Sequence, residues 1–583
     1  MELYMLKHSR NILDPIQSHL QFGFTCHSSP VFAALALTEI LADAADEGEP
    51  RLVTFMDTSK AFDVVSHHSM LNSMNEQGVK GTLWSLYESM YSGIKSVVQW
   101  NGELSEPFTE KQGIRQGGCS SADAYKTGKN RLLARLDADT ECRLGCIKTG
   151  ALMVADDLAI ISKDEEDLQH CIKIAEHDAA QERYCFNTDK TKVVPIKCRS
   201  NPQITLNDAT LGCSPSEVHL GIARNKCNNN MNTVLDRIKS ARRAAYSLMG
   251  AGMHGLNGTG PEVALIQYST YVLPTLLYGL EALNINEAET NILAAFHRKN
   301  IRCLLHLPKS TAIPALYLLS GMLPIEALIH TRILLLFRSI TSGNASILPV
   351  AYIQEIITRQ LAMKDLDSRS WCTIVKKLLT QYDLPPASTI LERKPRKIEW
   401  TAMVNRAIRG WWTKELRKEA GKKSSLQLIN LDKCAAGSIH PMLSSVASPL
   451  EIRRATVKLQ LLVQRYPLAT CHVAGQRKTE ICPLCHNEEE TTSHFLLRCS
   501  NLKATRDRYL PSMLTSLRKQ HISIDPDNLT KILLDSNYIH QEHQQEHEIH
   551  SRNLIFRLHH DRSLSLGGDS EFKRICGGAA RRR

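Results

Sequence analysis

Three short apolar runs that end or turn on aspartate constrain this chain more than any other feature. Leu52-Val53-Thr54-Phe55-Met56 stops on Asp57, and Ala151–Val154 and Leu158–Ile161 are joined by Ala155-Asp156-Asp157. Apolar runs of this length, bounded by turn residues, read as buried strands. Helical spacing fills residues 66–91, 121–136 and 164–184, the last with Leu168, Ile172, Ala175 and Ala179 on one face, and Val193–Ile196 is a further strand. Val97-Val98-Gln99-Trp100 before Asn101-Gly102 predicts a strand entering a hairpin turn. Strand, helix, strand–turn–strand, helix, strand is the order of a split βαβ, ferredoxin-like sheet. Its first strand neighbours its hairpin, so Asp57 is expected beside Asp156 despite their distance in sequence. An aspartate at a strand end is often only a turn residue or a helix cap. Clustered carboxylates, however, repel one another unless cations sit between them, and hard oxygen ligands suit Mg²⁺ or Mn²⁺. Two such ions about 4 Å apart can activate an attacking hydroxyl and stabilise a leaving pyrophosphate oxygen.

Composition narrows the class. The chain has 583 residues, 43% hydrophobic and 22% charged, which excludes wholesale disorder and leaves room for three or four domains of about 150 residues. Lys plus Arg exceeds Asp plus Glu by 71 − 60 = 11, which favours a polyanionic partner without requiring one. The first residues carry Lys7 and Arg10 and lack the apolar core of a signal peptide, and no uncharged apolar run reaches about 18 residues. The longest greasy stretch, residues 315–337, contains Pro324, Glu326, His330 and Arg332 and reads as packed helices. The 17 scattered cysteines fit a reducing compartment. The expectation is an intracellular protein of nucleus or cytoplasm, with no membrane partner and no secretion. Strands fade beyond about residue 225, and helical patterns cover 231–249, 262–284, 290–305, 324–340 and 400–420. With breaks at Gly250–Gly260 and Pro385-Pro386, the expected division is 1–225, a helical 226–385, a basic helical 386–475, a small metal module at 476–505 and a polar tail at 506–583.

The surroundings of the aspartates carry a family resemblance. Phe55-Met56-Asp57-Thr58-Ser59-Lys60-Ala61-Phe62-Asp63 resembles motif A of reverse transcriptases, and Gly113-Ile114-Arg115-Gln116-Gly117-Gly118-Cys119-Ser120-Ser121 resembles motif B. Val154-Ala155-Asp156-Asp157-Leu158 resembles motif C, Asn187 through Lys190-Thr191-Lys192 motif D, and His219-Leu220-Gly221-Ile222 motif E. Gln21-Phe22-Gly23-Phe24 is similar to a stretch of non-LTR (LINE-type) retrotransposon polymerases, as, more weakly, are Leu277–Glu281 and Gly321–Glu326. The resemblance implies an α+β fold: a ferredoxin-like polymerase palm with partial fingers, then a mostly helical thumb and C-terminal region. It implies RNA-directed DNA synthesis, with an RNA template, a DNA primer or target and deoxynucleoside triphosphates as partners. Asp57, Asp156 and Asp157 are the implied catalytic carboxylates and ligands of two Mg²⁺ or Mn²⁺ ions. Phe62 would sit under the incoming sugar and exclude a 2′-hydroxyl. Gln116 and the Gly117-Gly118 backbone would line nucleotide and template, and Lys190 would stabilise or protonate pyrophosphate.

Cys482-x2-Cys485-x8-His494-x4-Cys499 has the spacing of a closed, structural Zn²⁺ site. It resembles the C-terminal zinc knuckle of the same retrotransposon proteins. Two basic stretches add to a nucleic-acid reading: Arg237, Lys239, Arg242 and Arg243, and Arg406 to Lys418 with Trp411 and Trp412. A solvated basic face over buried tryptophans explains the second equally well. His543-Gln544-Gln545-Glu546-His547 matches a zinc-peptidase pattern but lies in a charge-rich stretch that reads as a solvated helical face.

The sequence also departs from the family. About fifty residues precede motif A, whereas complete enzymes carry an earlier fingers segment with cations for the triphosphate, and no endonuclease carboxylate set is recognisable. Ser120 and Ala122 stand where Leu and Pro are usual, Gly128 interrupts a helix, and Lys129 falls at a position expected to face the core. The chain therefore reads as an N-terminally truncated element copy. The rival to the polymerase is a catalytically inactive nucleic-acid-binding remnant that uses thumb and zinc knuckle alone.

Overall fold

The computed structural model describes residues 2–115, 117–253, 258–444, 446–471, 480–520 and 522–567. The chain divides into two compact units, and neither is a continuous stretch. The first comprises Met1–Thr233, Gly279–Asn286 and Arg332–Ala402, the second Val234–Tyr278, Glu287–Thr331 and Met403–Arg583.

The first unit is built on a sheet of five strands: β1 (Arg51–Met56), β2 (Ala151–Val154), β3 (Asp157–Ser162), β4 (Lys192–Ile196) and β5 (Gly212–Cys213), in the order β5-β4-β1-β3-β2. The central β1 runs antiparallel to both neighbours, with Thr54 opposite Ile160 on one side and Val193 on the other. This is the βαββαβ arrangement expected from the apolar runs, with β5 added in parallel at the edge beside β4. Strands buried on both faces need continuous apolar sequence, and Val53, Ala159, Ile160, Ile161, Val193 and Val194 are fully buried. Six helices complete the part of the unit that carries the site: α1 (Glu2–Leu13), α2 (Pro30–Glu47), α3 (His67–Glu76), α4 (Gly81–Tyr91), α5 (Ser121–Asp139) and α6 (Glu165–Glu182). The periodic stretch 66–91 is thus two helices, separated by a turn at residues 77–80. Asp164 caps α6, its carboxylate accepting from the backbone N–H of Asp167 at 2.9 Å.

Lys129 on α5 is buried as its position implied, with Nζ 3.3 Å from the ring centre of Tyr184. Burial pulls its pKa down to about 8, against the attraction of Asp178, Glu182 and Asp156. The aromatic face and these acids make the cation tolerable inside the unit.

Glu39 of α2 is fully buried and accepts from Ser370 Oγ and the Trp371 backbone N–H, both at 2.6 Å, at the start of the helix Trp371–Gln381. Burial pushes its pKa from the ordinary 4.5 up to about 7, with the hydrogen bonds opposing. The folded state therefore holds this proton after the unfolded chain has released it. The carboxyl's contribution is fully present below pH 4.5 and falls as pH rises towards 7, by about 3 kcal/mol at 1.36 kcal/mol per unit. Glu39→Gln is expected to melt close to the parent at pH 5 and several degrees above it at pH 8. Equal melting differences at both pH values would refute the assignment.

In the second unit, helix Pro449–Leu462 packs with Gln541–Ser565. The segment expected to be a polar tail carries three helices, Lys503–Lys519, Pro526–Leu534 and Gln541–Ser565. In the stretch read as a solvated helical face, residues 541–546, 549 and 550 are exposed or half-exposed, while the rest of Gln541–Ser565 turns a face inward. Leu554, Ile555 and Leu558 are buried, and so are His547, Glu548 and Arg552. Lys458 Nζ lies 2.7 Å from both Glu548 Oε2 and Ser551 Oγ, so Glu548 is paired inside while Glu542 and Glu546 stay exposed. His547 spends its Nε2 on the Ile532 carbonyl at 2.9 Å, which leaves the peptidase-like pattern without a free ligand there. Among the described residues no single helix is long and apolar enough to cross a membrane.

Candidate active site and metal centre

Strand register brings the carboxylates together. Met56 pairs with Leu158 and Val154 with Asp157, so Asp57, one residue beyond β1, reaches the end of the sheet where the β2–β3 turn presents Asp156 and Asp157. Partial burial, then the charges of Asp156 and Asp57, hold the Asp157 carboxyl above the usual range. Asp57 Oδ2 is shielded from solvent and has no hydrogen bond, while Lys190 Nζ stands 3.3 Å from it. A crowded set of carboxylates with one lysine beside Asp57 suits a divalent cation with oxygen ligands.

The segment after α6 delivers Lys190. The Asn187 N–H donates to the Asp57 carbonyl at 2.8 Å, and Asn187 Oδ1 accepts from the backbone N–H groups of Asp189 and Lys190. This side-chain turn carries Lys190 back over β1, with its side chain two-thirds exposed. Phe62 is half-buried, stacked on Tyr125 of α5 at 4.6 Å between ring centres and met edge-on by Phe24. Burial and the charges of Asp156 and Asp157 push the Tyr125 phenol up, which puts Tyr125 beside the carboxylates without any signal in the sequence having marked it. Gly117 lies in the left-handed region at φ +89°, which favours glycine in this turn before α5, and a Cβ on Gly118 would displace the Ser121 hydroxyl, 2.4 Å away. Gln116 lies outside the described residues.

The second unit holds the cysteine cluster. One ligand atom from each of Cys482, Cys485, His494 and Cys499 lies within 4.8 Å of the others, the arrangement of a site that could hold a metal ion. Cys482 Sγ and Cys499 Sγ are 3.9 Å apart, and Cys485 Sγ is 3.5 Å from His494 Nε2. Glu488 Oε2 lies 3.1 Å from His494 Nδ1, which turns Nε2 inward, the usual way a second partner orients a ligating imidazole. The backbone folds for the purpose: Cys482 N–H donates to the Glu488 carbonyl and His486 N–H to that of Cys482. Burial and the neighbouring thiols push the Cys499 thiol up to about 11.

Residues 4–211 match the family of reverse transcriptases, RNA-dependent DNA polymerases. The Retrovirus-related Pol polyprotein from type-2 retrotransposable element R2DM of Drosophila melanogaster is 27% identical over 154 residues, 26% of this chain and 15% of that protein. The Pol polyprotein from type-1 retrotransposable element R2 of Nasonia vitripennis is 28% identical over 136 residues, 23% of this chain and 13% of that one. Over this span the chain is similar to the reverse transcriptases of non-LTR retrotransposable elements. Its matches span less than a fifth of those relatives' lengths. The solved structure of apo telomerase from Candida tropicalis aligns with 69% of the chain and 61% of its own, at 11% identity and a TM-score of 0.32.

The five stretches fall on distinct elements. Asp57 follows β1, the Gly117-Gly118 turn leads into α5, Asp156 lies in the β2–β3 turn and Asp157 opens β3, Lys190 precedes β4, and His219 closes a strand of the hairpin Ser216–His219/Ile222–Asn225. His219 stacks on Phe55 of β1 at 4.7 Å. Asp57, Asp156, Asp157 and Lys190 converge at one sheet end, whereas the cysteine cluster belongs to the other unit.

Proposed function

We propose that this chain is an RNA-directed DNA polymerase that adds deoxynucleotides to a primer 3′-hydroxyl. The observation that carries this reading is the crowding of Asp57, Asp156 and Asp157 at one sheet end, inside the span that matches reverse transcriptases. Asp57 and Asp156 would hold two Mg²⁺ or Mn²⁺ ions, with Asp157 assisting. When bound, such ions lower the pKa of the attacking hydroxyl and neutralise charge on the leaving pyrophosphate. Lys190, exposed and beside Asp57 at the same sheet end, would meet the pyrophosphate with a charge-assisted hydrogen bond. Phe62, fixed by its stack on Tyr125, presents a ring where a 2′-hydroxyl would clash. Gln116 and the Gly117-Gly118 backbone would line nucleotide and template. The cluster of Cys482, Cys485, His494 and Cys499 would hold one structural Zn²⁺, since all four positions are filled by protein.

The test is primer extension by the purified chain on an RNA template, with Mg²⁺ and deoxynucleoside triphosphates. Templated extension supports the reading, and RNA binding without extension favours the inactive binding remnant. If extension occurs, Phe62→Val should raise ribonucleotide incorporation by about 10-fold or more, the scale on which pocket shape discriminates. Unchanged discrimination would remove Phe62 from that role.

A further inference from the structure

We propose that Gln21 is a positioning residue that sets the geometry of the Asp156-Asp157 turn. The proposal deepens the metal-site reading above and rests on it. Gln21 is fully buried, and its one amide serves the turn from both sides. Its Oε1 accepts from the backbone N–H of Ala155 at 2.9 Å, and its Nε2 donates to the carbonyl of Ala155 at 3.2 Å. The same Oε1 accepts from the N–H of Gly23 at 2.9 Å. Both backbone polar groups of Ala155 are thus held by a single side chain.

Ala155 needs such a hold. It sits in the left-handed region at φ +60°, which a residue with a Cβ disfavours. It is also the residue directly before Asp156, so its backbone angles decide where the next two carboxylates point. The segment bearing Gln21 is itself fixed to the hairpin. Met153 N–H donates to the Leu20 carbonyl at 2.9 Å and Phe22 N–H to the Met153 carbonyl at 2.8 Å. A Cβ on Gly23 would lie 2.1 Å from the Ala155 nitrogen, so only glycine permits this approach. Glutamate in place of Gln21 lacks the donor, asparagine is one methylene too short, and an apolar residue offers neither bond. Gln21 makes no hydrogen bond to the carboxylates themselves and acts through the turn.

A buried glutamine that merely stabilised the fold would lower the melting temperature and leave the metal affinity alone. The experiment therefore measures Mn²⁺ binding to the full chain by the loss of the free-ion EPR signal, with the melting temperature alongside. Gln21→Met keeps the bulk and removes the amide. It is expected to weaken Mn²⁺ binding about 10-fold or more, the usual cost of losing support behind a ligand. Adding Ala155→Gly should restore part of that loss, because glycine adopts the left-handed region unaided. Mn²⁺ affinity unchanged in Gln21→Met, while Asp156→Ala loses it, overturns the positioning role alone. Wild-type Mn²⁺ binding in both Asp57→Ala and Asp156→Ala overturns the metal-site reading and the proposal with it. If Gln21→Met does not fold, Gln21→Asn decides by the same titration, since it keeps an amide that cannot reach Ala155.

Discussion

Asp57→Ala or Asp156→Ala is expected to abolish primer extension while RNA binding stays nearly intact. The loss follows from electrostatics. Each aspartate would supply charge to cations that neutralise the triphosphate, and metal stabilisation of a phosphoryl-transfer transition state is worth several kcal/mol. At 1.36 kcal/mol per decade, about 5–6 kcal/mol removes roughly four decades of rate. RNA binding survives because it draws on phosphate contacts spread over many cations. Asp157→Ala should hurt less, as the assisting member of the set. Because Asp157 holds its proton above the usual carboxylate range, metal binding should weaken as pH falls earlier than ordinary aspartates would dictate. Normal extension by Asp156→Ala would end the assignment.

Zinc analysis of the purified chain should return about one ion, and Cys485→Ser or a strong chelator should remove it. Zinc binding to small Cys/His modules contributes about 10–16 kcal/mol at neutral pH, so a fold organised around the four ligands should not survive its loss. The segment is also tied to its surroundings, with Glu490 taken up by Arg562 at 2.7 Å and Phe495 stacked on Tyr466, so the loss should be confined to the turns that carry the cysteines. The expected result is proteolytic cleavage near residues 480–500 and weaker nucleic-acid binding, with the five-stranded sheet intact. Zinc retained by Cys485→Ser would move the site elsewhere.

The sheet was legible because its strands are short, apolar and bounded by turn residues, and because few orders of such elements are possible. That one constraint also placed Asp57 beside Asp156. The Cys482–Cys499 cluster was legible for a similar reason, since ligand spacing within a short segment is local information. The helix Gln541–Ser565 was not. Its buried face mixes Leu554, Ile555 and Leu558 with Glu548, which meets Lys458, and His547, which meets a backbone carbonyl, and hydropathy counts the last two as solvated. Gln21 also escaped a functional assignment, because what it binds is the backbone of Ala155, and a backbone partner leaves no trace in residue type. Tyr125 stood in a helix whose pattern marked only its apolar neighbours.

The interleaving of the two units has a consequence for the order in which the protein can be made. The chain passes between units after Thr233, Tyr278, Asn286, Thr331 and Ala402. Glu39 finds its partners only at Ser370 and Trp371, and the Trp371 indole closes on the Glu281 carbonyl at 2.7 Å. A ribosome adding about 5–20 residues per second leaves the sheet waiting for tens of seconds before its last segment emerges. During that interval α2 lacks its cover, and its apolar length is open to chaperones or to a second nascent chain. No single cut of the message or of the polypeptide separates one unit from the other, so the two are inherited, expressed and lost together.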